Sequence, residues 1–238
     1  MLLLDFDGTV CLGDGPVLAY ADAAFAELPL SRRDPAHDQL RRFLEHDPQL
    51  RQRFADGYVL VQELAADLPP AQLQSAYLHS RERLAAGELA VRPADGLAEL
   101  LIGVGADVTT VVLTNSPRIG VAETLDGFGL SGLLDQVIID GGKPARMAEH
   151  LDVLLSGQPA ENLISVGDHW VNDVRVPVLR GSVGALITGS PRPDHPAHLV
   201  GAGLAEVAAG IACWADDPSA FITDHPLPTG QFDRAGTP

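Results

Sequence analysis

Lysine is almost absent from this chain of 238 residues: Lys143 is the only one, and the other fifteen of its sixteen basic residues are arginines. The chain also carries 32 Asp and Glu residues, which gives a formal net charge of −16. Nucleic acids and anionic membrane surfaces are bound through Lys and Arg, so we expect neither as a partner. The acidic balance does not exclude a small phosphorylated ligand, which meets only its own pocket.

Cysteine is also scarce, since Cys11 and Cys213 are the only two. They form no CxxC pair and no metal-ligand spacing, which argues against a disulfide framework and predicts a reducing, cytoplasmic compartment. Long apolar runs are missing as well. The run at residues 1–4 ends at Asp5, and it is too short for a signal peptide or a membrane span.

Short apolar runs predict buried strands at residues 2–4, 108–113, 137–139, 163–166 and 183–187. From Pro93 onward these runs alternate with helical patterns. Strands that are apolar throughout, with helices between them, are typical of a parallel sheet covered on both faces. The sequence therefore predicts an α/β fold with a Rossmann-like three-layer core.

The stretch between the first and second strands contains only helical patterns. The second of them is predicted to begin at Asp34-Pro35, because proline is favoured in the first turn of a helix. The third carries apolar residues at helical spacing over 54–68. We therefore predict an α/β core domain of residues 1–12 and 90–215, an inserted all-helical cap domain of 13–89 and an irregular C-terminal tail of 216–238.

Polar residues follow four of the predicted strands. The carboxyl ends of parallel strands lie at one edge of the sheet, where ligands bind in open α/β folds. The inserted domain leaves from this edge, so we expect it to cover the site as a lid. The polar groups are Asp5, Asp7, Gly8 and Thr9; Thr114, Asn115 and Ser116; Gly141, Gly142 and Lys143; and Gly167, Asp168, Asn172 and Asp173.

The residue types at these strand ends favour binding of a metal ion and of phosphate. Asp5 and Asp168, together with a backbone carbonyl, offer oxygen ligands of the kind that Mg²⁺ prefers. The turn before Pro117 leads into a predicted helix, whose N-terminus suits an anion. Lys143 adds a compact positive charge, and its uniqueness in the chain indicates a specific role.

These motifs together resemble the haloacid dehalogenase superfamily of phosphohydrolases. They stand in the family's order at the predicted strand ends, and the helical insert after the first of them resembles a C1-type cap. The motifs that carry the resemblance are Asp5-Phe6-Asp7-Gly8-Thr9, the apolar run ending in Thr114-Asn115, Lys143-Pro144, and Gly167-Asp168 with Asn172-Asp173.

The resemblance implies a Mg²⁺-dependent phosphomonoester hydrolase. Asp5 would be the nucleophile that forms an aspartyl-phosphate, and Asp7 would act as general acid and then as general base. Thr114 and Lys143 would complete the catalytic group by stabilising charge in the transition state.

The resemblance also implies which residues hold the ligands. The phosphate would be bound by Gly8, Thr114, Asn115 and Lys143. The Mg²⁺ site would comprise Asp5, Asp7 and Asp168, with Asn172 and Asp173 supporting it.

Other functions of the same fold stay open. A phosphomutase would share Asp5 and Asp7, and a non-catalytic phosphate-binding module could keep the fold without turnover. A dehalogenase lacks the second acid of the first motif, so Asp7 argues against it. A phosphonatase needs a lysine in the cap, and residues 13–89 contain none. The partner is predicted to be a small phosphorylated substrate, but neither its identity nor the oligomeric state is predicted.

Overall fold

A parallel six-stranded sheet forms the core of the α/β part of the chain. The structure is a computed structural model that describes residues 1–227. The strands in the described residues are β1 (Leu2–Leu4), β2 (Cys11–Leu12), β3 (Arg92–Pro93), β4 (Thr110–Leu113), β5 (Gln136–Ile138), β6 (Ile164–Gly167), β7 (Val183–Ile187) and β8 (Leu199–Gly201). The sheet has the order β5–β4–β1–β6–β7–β8, and helices flank it, which confirms the predicted fold class.

The central strand β1 determines where the first motif lies. All three of its leucines are buried, because β4 and β6 pair with it on either side in parallel. Leu4 lies opposite Val112 of β4 and Val166 of β6. The three strands therefore end at the same edge of the sheet, and the residues that follow each of them come together there.

The chain divides into two compact units. The α/β unit comprises Met1–Leu12, Arg92–Arg118 and the chain from Leu125 onward, and the helical unit comprises Gly13–Val91 with Ile119–Thr124. Strands β2 and β3 pair antiparallel where the chain leaves and re-enters the α/β unit.

Helices make up most of the remaining described chain. The first five belong to the helical unit: α1 (Gly15–Phe25), α2 (Leu30–Leu44), α3 (Pro48–Arg53), α4 (Gly57–Leu64) and α5 (Pro70–Ala85). The later ones are α6 (Leu97–Gly103), α7 (Arg118–Gly127), α8 (Met147–Leu155), α9 (Arg175–Leu179), α10 (Leu204–Asp216) and α11 (Pro218–Asp224). Within the described range, none of them is both long and apolar enough to cross a lipid bilayer.

Two helices of the helical unit differ from the prediction. α2 begins at Leu30 rather than at Asp34-Pro35, and Pro35 lies inside it. A proline there removes one backbone hydrogen bond, but the buried face of Ala36, Leu40 and Phe43 offsets that loss.

The helix predicted over 54–68 was also wrong in its bounds. Within this range the helix is α4, which begins only at Gly57, because the carboxylate of Asp56 accepts the N–H of Val59 and caps the helix there.

The end of the chain differs as well. α11 lies in the segment predicted to be irregular: Asp217 caps it by accepting the N–H of Ala220, and Phe221 is buried. The edge strand β8 was not predicted, because its three residues form no apolar run and Val200 is exposed. Residues 228–238 of the predicted tail lie outside the described part.

Candidate active site

The ammonium group of Lys143 lies between two carboxylates at the carboxyl edge of the sheet. Its Nζ donates to Oδ1 of Asp5 at 2.7 Å and to Oδ1 of Asp173 at 2.6 Å. The lysine side chain is only 3% exposed. Burial alone would lower the pKa of Lys143, but the charges of Asp5 and Asp173 outweigh burial and raise it above the ordinary value. Lys143 is therefore a fixed positive charge.

Asp5 carries more negative neighbours than Lys143 can balance. Burial is the largest influence and raises the pKa of Asp5 to about 7, and the charge of Asp173 acts in the same direction. Lys143 opposes both, and the charge of Asp7 adds a smaller increase. A positive ion bound beside Asp5 would favour its charged form and so lower this pKa.

Three carboxylates converge at this point. One oxygen from each of Asp5, Asp168 and Asp173 lies within 4.8 Å of the others. Such an all-oxygen donor set fits a hard divalent cation such as Mg²⁺. The cluster shares Asp5 and Asp168 with the metal site predicted from the sequence, and it includes Asp173, which the sequence placed in support of that site.

Two glycines allow the carboxylates to come so close. A Cβ on Gly8 would lie 2.3 Å from Oδ2 of Asp168, and Gly8 has a φ of +87°, which other residues rarely adopt. A Cβ on Gly167 would lie 2.3 Å from the Cβ of Asp173. The Gly8 N–H donates to the carbonyl of Cys11 at 2.9 Å, so the structure gives Gly8 a part in shaping the turn.

The side chain of Asp7 is held by Ser116. The Ser116 hydroxyl donates to Oδ2 of Asp7 at 2.6 Å, across 109 residues of sequence. The Ser116 N–H in turn donates to the hydroxyl oxygen of Thr114 at 3.0 Å. Thr114 and Ser116 are both buried, so this turn fixes the direction of the Asp7 carboxylate.

Asn115 lies in the same turn, but its side chain faces the backbone of Lys143. Its Oδ1 accepts the Lys143 N–H at 2.7 Å, and its Nδ2 donates to the Lys143 carbonyl at 2.9 Å. Both polar atoms of the amide are therefore engaged by one residue, where the sequence predicted a phosphate contact.

The segment after β6 arranges Asp173. Residues Trp170–Val174 form a π-helical turn, which brings the Asp173 carboxylate back to accept the His169 N–H at 3.0 Å. The hydroxyl of Ser165 donates to the Asp173 carbonyl at 2.6 Å. Asn172 contributes its backbone N–H to His169. Asp173 is thus part of the central cluster, whereas Asn172 stabilises the turn.

The order and spacing of these residues can be compared with known proteins. The family model of haloacid dehalogenase-like hydrolases matches residues 2–180, which include all four motifs. The chain belongs to the haloacid dehalogenase-like hydrolase family. A search of curated protein sequences finds no match.

Solved structures of this fold match nearly the whole chain at low identity. A predicted phosphoglycolate phosphatase from Haemophilus somnus 129PT is 16% identical, with a TM-score of 0.60 over 88% of this chain and 96% of that one. A HAD phosphatase from Thermococcus onnurineus is 20% identical, with a TM-score of 0.51 over 88% and 96%.

A 2-haloacid dehalogenase from Pseudomonas syringae pv. tomato DC3000 also matches. It is 18% identical, with a TM-score of 0.53 over 90% of this chain and 98% of that one. At these identities the similarities support the fold and do not choose between phosphatase and dehalogenase chemistry.

Sequence reasoning missed two contacts of the site. Ser116 was interpreted only as part of a helix start, and Asn115 only as a phosphate ligand. The missing information is the pairing between distant turns: Ser116 meets Asp7, and Asn115 meets Lys143, because β1, β4 and β5 are neighbours in the sheet. The motif spacing gave no sign of either partner.

Proposed function

We propose that this haloacid dehalogenase-like hydrolase is a Mg²⁺-dependent phosphomonoesterase that acts through an aspartyl-phosphate on Asp5. The observation that carries the proposal is the pair of acids Asp5 and Asp7, one beside the Lys143 ammonium and the other held by Ser116. A phosphatase of this kind needs a nucleophile and a separate proton donor, and the two carboxylates supply both.

In the first step, one oxygen of Asp5 attacks the phosphorus of the substrate, and the P–O bond to the alcohol breaks. Asp7 gives its proton to the departing oxygen, so that an alcohol leaves rather than an alkoxide. The ammonium of Lys143 and the hydroxyl of Thr114 stabilise the negative charge on the phosphoryl oxygens.

In the second step, water replaces the alcohol. Asp7, now a carboxylate, accepts a proton from the water as its oxygen attacks the phosphorus. The bond between phosphorus and the Asp5 oxygen breaks, which releases inorganic phosphate and restores the Asp5 carboxylate. The Ser116 hydroxyl keeps Asp7 in one orientation through both steps.

The residues that would hold Mg²⁺ are Asp5, Asp168 and Asp173. A bound Mg²⁺ supplies positive charge that offsets the repulsion between the Asp5 carboxylate and an anionic phosphate ester. Gly8 and Gly167 support this role, because their missing side chains leave room for Asp168 and Asp173.

Two finer assignments accompany the proposal. The helical segment Gly13–Val91 follows the first motif in sequence, which supports its assignment as the family's C1-type cap domain. The free cysteines Cys11 and Cys213 are compatible with a cytoplasmic enzyme.

A phosphate-release screen tests the function. The purified chain is incubated with sugar phosphates, nucleotides, phosphoglycolate and phosphoamino acids, with Mg²⁺ and with a chelator. We expect phosphate release from at least one ester with Mg²⁺ and none with the chelator. Product analysis by chromatography separates hydrolysis from a mutase, which would give an isomer of the sugar phosphate instead of free phosphate.

A parallel panel of 2-haloacids tests the rival chemistry. We expect no halide release, because Asp7 occupies the position where a dehalogenase of this fold lacks an acid. Halide release without phosphate release from any ester would contradict the proposed function.

A further inference from the structure

The turn at residues 114–116 is joined to the turn at 140–143 by backbone hydrogen bonds. The Gly141 N–H donates to the Thr114 carbonyl at 2.8 Å, and the Asp140 N–H donates to the Ser116 carbonyl at 3.0 Å. Between these two contacts lies the Asn115 side chain, which adds its own pair of bonds to Lys143. Asn115 thus lies at the centre of the contact between the two turns.

An amide that holds both the N–H and the C=O of one residue restricts that residue's backbone. The bonds from Asn115 to the Lys143 N–H and carbonyl fix the peptide units on both sides of the lysine Cα. They therefore fix the direction of the Cα–Cβ bond of Lys143. A lysine side chain has four flexible methylene groups, so the place of its ammonium depends strongly on that direction.

The position of the Lys143 ammonium is restricted by its two carboxylate partners. Lys143 Nζ lies within hydrogen-bond distance of both Asp5 and Asp173, and the side chain is almost fully buried. A small rotation of the backbone at Lys143 would move Nζ away from at least one carboxylate. The carboxylate that loses this contact would then be buried without a cation beside it, which is unfavourable.

We propose that Asn115 is a positioning residue that aims the Lys143 ammonium at Asp5 and Asp173, rather than a phosphate ligand through its side chain. The Asn115 Oδ1 and one of the two hydrogens on Nδ2 are already used by Lys143, so only the second Nδ2 hydrogen is left for another partner. The effect on turnover rests on the proposed phosphatase function, whereas the effect on Lys143 does not.

The single lysine makes a direct test available. Protein grown with lysine labelled by ¹³C at Cε gives one lysine side-chain NMR signal per chain, because Lys143 is the only lysine. The signal is recorded without substrate or phosphate for the wild type, Asn115→Ala and Asn115→Asp. Asn115 is exposed, so neither substitution leaves a cavity in the core.

Asn162→Ala is the matched control. Asn162 precedes β6, at the opposite end of that strand from Asp168, and its carbonyl accepts the N-terminal ammonium of Met1. The substitution leaves this backbone bond in place. Chemical denaturation of all variants shows whether any change in the lysine signal is a loss of folding instead.

We expect the Lys143 signal to shift and broaden in Asn115→Ala and to keep its wild-type position in Asn162→Ala. In Asn115→Asp one oxygen can still accept the Lys143 N–H, but the donor to the carbonyl is lost, so the shift persists. With a substrate from the screen, kcat of Asn115→Ala should fall about ten- to thirtyfold.

An unchanged lysine signal in Asn115→Ala would overturn the proposal. A higher KM with unchanged kcat and an unchanged lysine signal would assign Asn115 to phosphate binding. If the wild type hydrolyses no ester, the proposed function fails, but a shifted lysine signal in the ligand-free variant still supports the positioning role.

Discussion

At the residue scale, small uncharged groups determine where the charged side chains of this site lie. The hydroxyl of Ser116, the amide of Asn115 and the missing Cβ of Gly8 each act on a different charged group: Asp7, Lys143 and Asp168. The charged groups themselves follow from the motifs in the sequence. The contacts of Ser116, Asn115 and Gly8 do not follow from the motifs, because each of these residues acts on a partner that is distant along the chain.

Removing the Ser116 hydroxyl should slow turnover. Ser116→Ala loses the bond to Oδ2 of Asp7, so the acid samples other orientations, and we expect kcat to fall about tenfold. Steady-state kinetics at one pH measure kcat and KM separately. Ser116→Thr keeps a hydroxyl and should recover part of the rate.

Ser131→Ala is the control for this change, since Ser131 also donates to an aspartate, Asp126, but at an exposed position. It should leave kcat at the wild-type value. A wild-type kcat in Ser116→Ala would show that the bond to Asp7 does not matter for turnover.

Adding one methyl group at Gly8 should disturb the metal cluster. In Gly8→Ala the new Cβ would come 2.3 Å from Oδ2 of Asp168, so this carboxylate must move. The positive φ of +87° adds strain of about 1 kcal/mol. We expect a lower free energy of unfolding in urea and, for the active enzyme, a higher Mg²⁺ requirement.

Gly105→Ala separates these two effects. Gly105 has a similar φ of +81°, but a Cβ there meets nothing within 4 Å. The control should lose comparable stability and keep the wild-type Mg²⁺ requirement. An unchanged Mg²⁺ requirement in Gly8→Ala would contradict the part assigned to Gly8.

Among the elements, the paired strands β7 and β8 have an additional link through His198, the residue before β8. The His198 N–H donates to the Gly184 carbonyl at 2.9 Å, and the Gly184 N–H donates to Nδ1 of His198 at 3.1 Å. Nδ1 can accept only when it carries no proton. Burial, with a smaller contribution from His225, lowers the pKa of His198 to about 4.

This histidine should make the fold less stable in acid. Between pH 6.5, where an ordinary histidine titrates, and pH 4, the unfolded chain takes up a proton at His198 that the folded chain refuses. The contribution of His198 is therefore complete above pH 6.5 and decreases as the pH falls towards 4. Urea unfolding at pH 7, 6 and 5 measures the decrease.

His198→Asn supplies the comparison, because the Asn side-chain oxygen can accept the Gly184 N–H without titrating. We expect the free energy of unfolding of this variant to depend less on pH over the same range. Equal pH dependence in the two proteins would show that His198 does not cause the loss.

The elements themselves were predictable where burial is complete. β1 and β7 were predicted at their observed bounds, and β4 within two residues, because strands buried on both faces are continuous apolar runs. The edge strand β8 has an exposed residue and no such run. Pro35 was interpreted as the start of a helix by local preference, but the buried face of α2 extends the helix towards Leu30.

At the scale of the whole molecule, the chain has a net charge of −16, and its only lysine, Lys143, is buried. The four motifs predicted that Asp5 and Asp168 lie close together, because parallel neighbouring strands bring their ends together. The sequence could not show that Asp173 contacts Lys143 directly, since this depends on the π-helical turn after β6. The motifs likewise do not identify the substrate.

In the proposed mechanism Asp5 carries the phosphoryl group during turnover. The most direct measurement is to quench the enzyme with acid during turnover of an ester from the screen, reduce it with borohydride and map the modified residue by mass spectrometry. Borohydride converts an aspartyl-phosphate to homoserine. We expect homoserine at position 5, and Asp5→Asn should lose on the order of 10⁴-fold in kcat. Turnover with an unmodified Asp5, or metal-dependent hydrolysis retained by Asp5→Asn, would contradict it.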